Sequence, residues 1–108
     1  MDIKQLSERA LEVRAKYSEL EKERYGREWT RAEMMQGFVT DIGELMELSM
    51  AKDGIRRREN VDEEIAHEFA DCLWSLLVLA KKYDVDIEKS FLATMDKLEE
   101  KILNNTHN

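Results

Sequence analysis

Two acidic pairs stand out in the chain, Asp41-Ile-Gly-Glu44 and Glu68-Phe-Ala-Asp71. In each pair the carboxylates are three residues apart, a spacing that sets both on one side of an α-helix. The second pair heads the stretch CLWSLLVLA, residues 72–80, in which Ser75 is the polar break. A carboxylate placed against such a run has to be neutralised or ligated, because burying an unpaired charge is strongly unfavourable. Four acids brought to one helical interface repel one another and lose water, and a bound cation relieves both costs. All-oxygen ligation favours a hard ion, Mg²⁺ or Mn²⁺, over zinc. Asp41, Glu44, Glu68 and Asp71 are therefore the candidate metal ligands.

The bland alternative is that these acids are solvated charges on amphipathic helices. That reading suits Glu47, Glu63 and Glu64 better than the four candidates, since Asp41 falls inside the apolar stripe of its helix and Glu47 lies about 120° away from it. Glu64-Ile-Ala-His67 matches the Glu-x-x-His element of di-iron bundles, which use that element on two helices. The other histidine is His107, in the terminal NNTHN. His67 is accordingly read as a polar residue at the rim of the site.

The elements that must carry these residues follow from composition. There is no proline, glycine occurs four times in 108 residues, and 38% of residues are charged against 43% hydrophobic. Such a mixture predicts an all-α chain, and its length predicts one domain over residues 1–108. Four helices are expected, over about 2–25, 30–54, 60–83 and from Asp86 onwards, with N-caps at Thr30 and Asn60 that each have a glutamate three residues on. The first helix has a narrow stripe of Ile3, Leu6, Ala10, Val13, Tyr17 and Leu20; the last directs Ile87, Phe91, Met95, Leu98 and Ile102 to the core. A formal charge of −7 argues against nucleic acid as a partner. The single cysteine, Cys72, reads as a small core residue in a reducing, cytoplasmic compartment, and no membrane span or leader is expected.

The combination DIGELME, then EFADCLW, then the turn YDVDIEKSFLATMDK resembles the MazG-type nucleotide pyrophosphohydrolases of the all-α NTP pyrophosphatase group, over roughly residues 30–100. The resemblance implies a four-helix MazG-like bundle assembled as a homodimer or homotetramer. It also implies Mg²⁺-dependent hydrolysis of nucleoside triphosphates to the monophosphate and pyrophosphate, in the manner of nucleotide-pool cleaning. On this pattern Asp41, Glu44, Glu68 and Asp71 hold the metal, and Glu44 and Glu47 are the catalytic candidates that activate water. The last helix of better-known members carries a Lys and an Asn four apart, where this chain has Thr94 and Leu98. Substrate contacts are then sought at Trp29, which can stack on a base, and at Arg56, Arg57 and Lys81, which can meet phosphates. Solvated surface charge is the alternative for those cations, and core or subunit interface for Trp74. The rival function is a catalytically degenerate helical interaction module that still binds metal.

Overall fold

Helix starts are set by side chains that satisfy free backbone N–H groups. Asp2 accepts from the Gln5 amide at 2.8 Å, Thr30 from the Glu33 amide at 3.2 Å, and Asp86 from the Lys89 amide at 3.1 Å. In the computed structural model, which describes residues 1–54 and 59–106, the helices are α1 (Ile3–Tyr25), α2 (Arg31–Lys52), α3 (Val61–Lys82) and α4 (Ile87–Thr106). The fold is all-α among the described residues. Gly26 closes α1 in the left-handed region, at φ 78°, where its lack of a Cβ removes the penalty.

The expected capping box at Asn60 is not formed. Asn60 sits at φ 56°, outside the extended conformation that aims an N-cap side chain at the first turn. Asp62, Glu63 and Glu64 occupy that turn and complement the helix dipole in its place.

Helices α2 and α3 pack antiparallel. Arg31 at the start of α2 donates to the Lys82 carbonyl at the end of α3, Ser75 meets Asp41 in the middle, and Lys52 at the end of α2 pairs with Asp62 at the start of α3 at 2.6 Å. The seam between them buries Met34, Leu77, Val78 and Leu79 together with Ala10 of α1, and Phe38 and Trp74 pack against this cluster. Helix α1 is anchored on α3 by the Trp74 indole, whose Nε1 donates to the Ala10 carbonyl at 3.0 Å.

Two expectations about faces are corrected. The first half of α1 buries its stripe as read, through Ile3, Leu6 and Ala10, but beyond Ala10 the inward residues are Arg14, Ser18 and Glu21. Tyr17 is left half exposed. The charges of Arg14 and Glu21 satisfy each other, so this polar face can enter the interior. Helix α4 joins the core cluster through Ile87 at its start, and residues 88–105 are exposed. The inward faces of α3 are already taken by α1 and α2, so Phe91 stands 56% exposed on a helix that leaves the layer. The radius of gyration, 17.6 Å, exceeds the roughly 13 Å of a compact domain of this length.

Between α1 and α2, Glu33 holds the entry to α2. It accepts from Arg27 Nη1 at 2.6 Å and Nη2 at 3.1 Å, and from the Thr30 amide at 3.0 Å. The bonds from Arg27, then that from Thr30, pull its pKa from 4.5 to about 2. A pKa lowered by folding contributes stability that is present above the unfolded value and lost as pH falls towards the folded one. Glu33→Gln is therefore expected to melt below wild type at neutral pH. The gap should narrow between pH 4.5 and 2, as thermal melts across that range will show.

Candidate metal centre

Antiparallel packing of α2 on α3 brings the two acidic pairs face to face. One oxygen from each of Asp41, Glu44 and Glu68 can be chosen so that all three lie within 4.8 Å of one another, and a ring nitrogen of His67 with one oxygen each of Glu68 and Asp71 does the same. Glu68 belongs to both groups, so the four acids read from the sequence form one continuous cluster with His67 at its rim. His67 Nε2 lies 3.1 Å from Asp71 Oδ2, and Ser75 Oγ donates to Asp41 Oδ2 at 3.5 Å. Among the described residues no lysine or arginine pairs with any of the four acids.

The electrostatics match the geometry. Burial first, then the charges of Asp71 and Glu44, push the Asp41 carboxyl above its ordinary range. Burial and then Glu44 do the same to Glu68. Glu68 Oε2 is closed off from solvent and has no hydrogen-bond partner among the described residues. Such an oxygen loses its hydration without compensation, so a group that supplies positive charge fits the set. Cys72 stands beside the cluster, half-buried, and its thiol is held protonated by burial and by Asp41, Glu68 and Asp71. The donor set is thus carboxylate oxygen, which suits a hard divalent ion.

Cavities open on both sides of the cluster. One of about 490 Å³ is lined by Glu44, Glu47, Glu63, Glu68 and His67. The other, about 720 Å³, runs from Asp41, Asp71 and His67 to Trp29, Tyr17 and Trp74 and is walled by Arg14 and Glu21 of α1. This is the size range of small-molecule sites. Trp29 reaches it from the turn before α2, 41% exposed. The ring fits because residue 37 is glycine: a Cβ there would stand 3.1 Å from Trp29 Cζ3. Trp74 contacts the Tyr17 ring with centroids 5.7 Å apart.

Trp29 and the four acids are thus brought to one connected region, and Glu47 faces the smaller cavity. Lys81 is exposed at the far end of α3 and lines a different cavity, with Ile3, Lys4 and Asp86. Arg56 and Arg57, with Arg58, lie outside the described residues. Thr94 and Leu98 are exposed on α4. Sequence reading missed Arg14, Glu21 and Gly37. The signal for Gly37 was its place inside a helix, where glycine is unfavourable unless something packs against it.

An all-α chain thus carries, across a helical seam and beside an aromatic-walled cavity, a carboxylate cluster whose donors suit a divalent ion. The family model of the MazG nucleotide pyrophosphohydrolase domain matches residues 30–103, more than half of the sequence. The chain belongs to that family. Comparisons with curated proteins and with solved structures give no significant match.

Removal of one charge from the cluster is expected to relieve the repulsion that Glu68 feels. Glu68→Gln should therefore raise the melting temperature of metal-free protein at neutral pH, measured by calorimetry in the presence of a chelator. A lower melting temperature would show that the acids do not oppose the fold.

Proposed function

We propose that this chain hydrolyses nucleoside triphosphates to the monophosphate and pyrophosphate with Mg²⁺ or Mn²⁺ held by Asp41, Glu44, Glu68 and Asp71. The observation that carries this reading is the single cavity joining Asp41 and Asp71 to Trp29 and Trp74, in a chain of the MazG family. It offers a charged end for a triphosphate and a flat apolar end for a base. When bound, the divalent ion supplies positive charge to phosphate oxygens and eases ionisation of water. Asp41 and Asp71, at the end of the larger cavity, would hold the ion where the phosphates enter. Glu44 and Glu47, on the smaller one, form the carboxylate pair that takes up the single proton of the attacking water. A new bond forms from water oxygen to the α-phosphorus, the α–β anhydride bond breaks, and pyrophosphate leaves. Trp29 stacks on the base. Arg56 and Arg57 are assigned to the phosphates from their place in the α2–α3 connection; Lys81 has no part in the cavity that one chain builds.

Release of pyrophosphate from a panel of ordinary and modified triphosphates, with Mg²⁺ and with chelator, tests the reading. Activity should require the ion, and Glu44→Gln should lower kcat by at least about a hundredfold. Mg²⁺ should raise the melting temperature of the wild type by mass action and leave an Asp71→Asn variant unmoved. Metal binding without pyrophosphate release from any triphosphate would mark the chain as an interaction module instead.

The second part of the reading is assembly. Val39, Ile42, Met46, Phe69, Leu73 and Leu76 leave an apolar face on the α2–α3 pair, with Phe69 60% exposed, and Phe91, Leu92 and Leu98 leave another on α4. Contiguous faces of this kind mark interaction sites. A homodimer or homotetramer that pairs them by two-fold symmetry covers both. Light scattering at micromolar concentration should give a multiple of the 12.8 kDa chain mass; the mass of one chain would refute it.

A further inference from the structure

The polar face that α1 turns inward has no role in holding metal. Arg14 and Glu21 are each 8% exposed, yet both line the larger cavity. Arg14 Nη2 donates to Glu21 Oε1, and Arg14 Nε reaches Ser18 Oγ at 3.4 Å. The same Glu21 oxygen accepts the Trp29 amide at 2.9 Å. An ion pair within one helix that served only to neutralise two buried charges would best use both prongs of the guanidinium fork on both carboxylate oxygens. This one uses a single oxygen. Arg14 Nη1 and Glu21 Oε2 have no hydrogen-bond partner among the described residues, and neither is sealed off as Glu68 Oε2 is. A donor and an acceptor, both charged, are left open on the wall of a cavity whose neighbouring surface is the Trp29 ring. The Arg14 guanidinium lies 6.0 Å from the centroid of that ring.

We propose that Arg14 and Glu21 read the edge of the base, and that they select a lactam edge, in which a carbonyl stands beside a ring N–H. The inference rests on the cavity being the nucleotide site. Guanidinium can only donate and carboxylate can only accept. Hypoxanthine, guanine, uracil and thymine offer a carbonyl to Arg14 and the adjacent ring N–H to Glu21. Adenine and cytosine offer an amino group beside a bare ring nitrogen, the reverse order. Turning such a base to fit gives Arg14 the weaker acceptor and Glu21 the less acidic donor, and charged hydrogen bonds magnify that difference. An edge presented in the wrong order leaves Arg14 Nη1 and Glu21 Oε2 without partners in a cavity from which the base has displaced water.

Inosine triphosphate and ATP form the decisive pair, since their bases differ in this edge and share the purine frame, sugar and phosphates. The wild type with Mg²⁺ is expected to favour inosine triphosphate over ATP by at least about tenfold in kcat/KM. A second readout needs no turnover: inosine monophosphate should bind more tightly than AMP, followed by quenching of tryptophan fluorescence. The double variant Arg14→Gln with Glu21→Gln keeps a hydrogen-bonded pair but presents donor and acceptor at both positions. Its preference should fall towards unity, while Arg14→Lys, still donor only, should retain it. Circular dichroism and melting establish that each variant is folded. If the pair is merely structural, the double variant weakens both nucleotides alike and the ratio stays as in wild type, which overturns the proposal. Equal or better use of ATP by the wild type overturns it without any variant. Absence of hydrolysis of every nucleotide defeats the enzymatic reading instead, and the monophosphate affinities then still decide what the Arg14–Glu21 pair recognises.

Discussion

Like charges held together across a helical seam are the constraint around which this chain is organised. The apolar packing of Met34 and Phe38 of α2 with Leu77, Val78 and Leu79 of α3 fixes how the two helices meet. Once that register is set, the acids at the margin of the same seam have nowhere else to go. Hydrophobic burial is non-directional and roughly proportional to area, so it can oppose a local electrostatic cost that falls on a few oxygen atoms. Stability and charge density are thereby set against each other at one place, as is common where a protein keeps a reactive site.

The remaining elements take their roles from that seam. Ion pairs and caps sit away from it: Lys52 with Asp62 and Arg31 with the Lys82 carbonyl clamp the ends of the α2–α3 pair. The Arg31 guanidinium also lies 4.2 Å from the centre of the Tyr83 ring, a cation–π contact that tightens the same end. Helix α1 closes one flank and turns a groove between helices into a walled cavity. The opposite flank is apolar and open, so the two sides of the layer are chemically unlike, one a polar, aromatic-walled hollow and the other an exposed hydrophobic face.

Much of this is legible in the residues alone. The i,i+3 acids, the apolar run after Asp71 and the Thr30–Glu33 box are local signals with fixed helical geometry, and each appears where its spacing puts it. What escapes is decided by tertiary geometry. The inward turn of Arg14 and Glu21 cannot be read from a stripe of Val13, Tyr17 and Leu20, because it depends on a bond to the Trp29 amide from a different element. The amphipathic pattern of α4 predicts a buried face that the fold does not bury, because a stripe carries no information on whether a surface stands opposite it. Asn60 has the right residue type for a cap and the wrong backbone conformation, a distinction the sequence does not carry. The Arg56 and Arg57 reading falls beyond the described residues. Lys81 lines another cavity, so an exposed cation's place relative to the site does not follow from its neighbours in sequence.

The turn that carries Trp29 is gripped from both sides by carboxylates. Glu21 of α1 holds the Trp29 amide, and Glu33 of α2 holds Arg27 and the Thr30 amide. Residues 27–30 therefore have their backbone pinned at two points before anything enters the cavity, and the indole rests in the notch left by Gly37. A flat molecule arriving there meets a wall already set in place. The loss of loop and rotamer freedom has been absorbed into folding, so it is not subtracted again from the free energy of association. Rigid presentation of one aromatic plane favours ligands by shape rather than by adaptation, and it makes Glu21 and Glu33 the keepers of that plane's orientation.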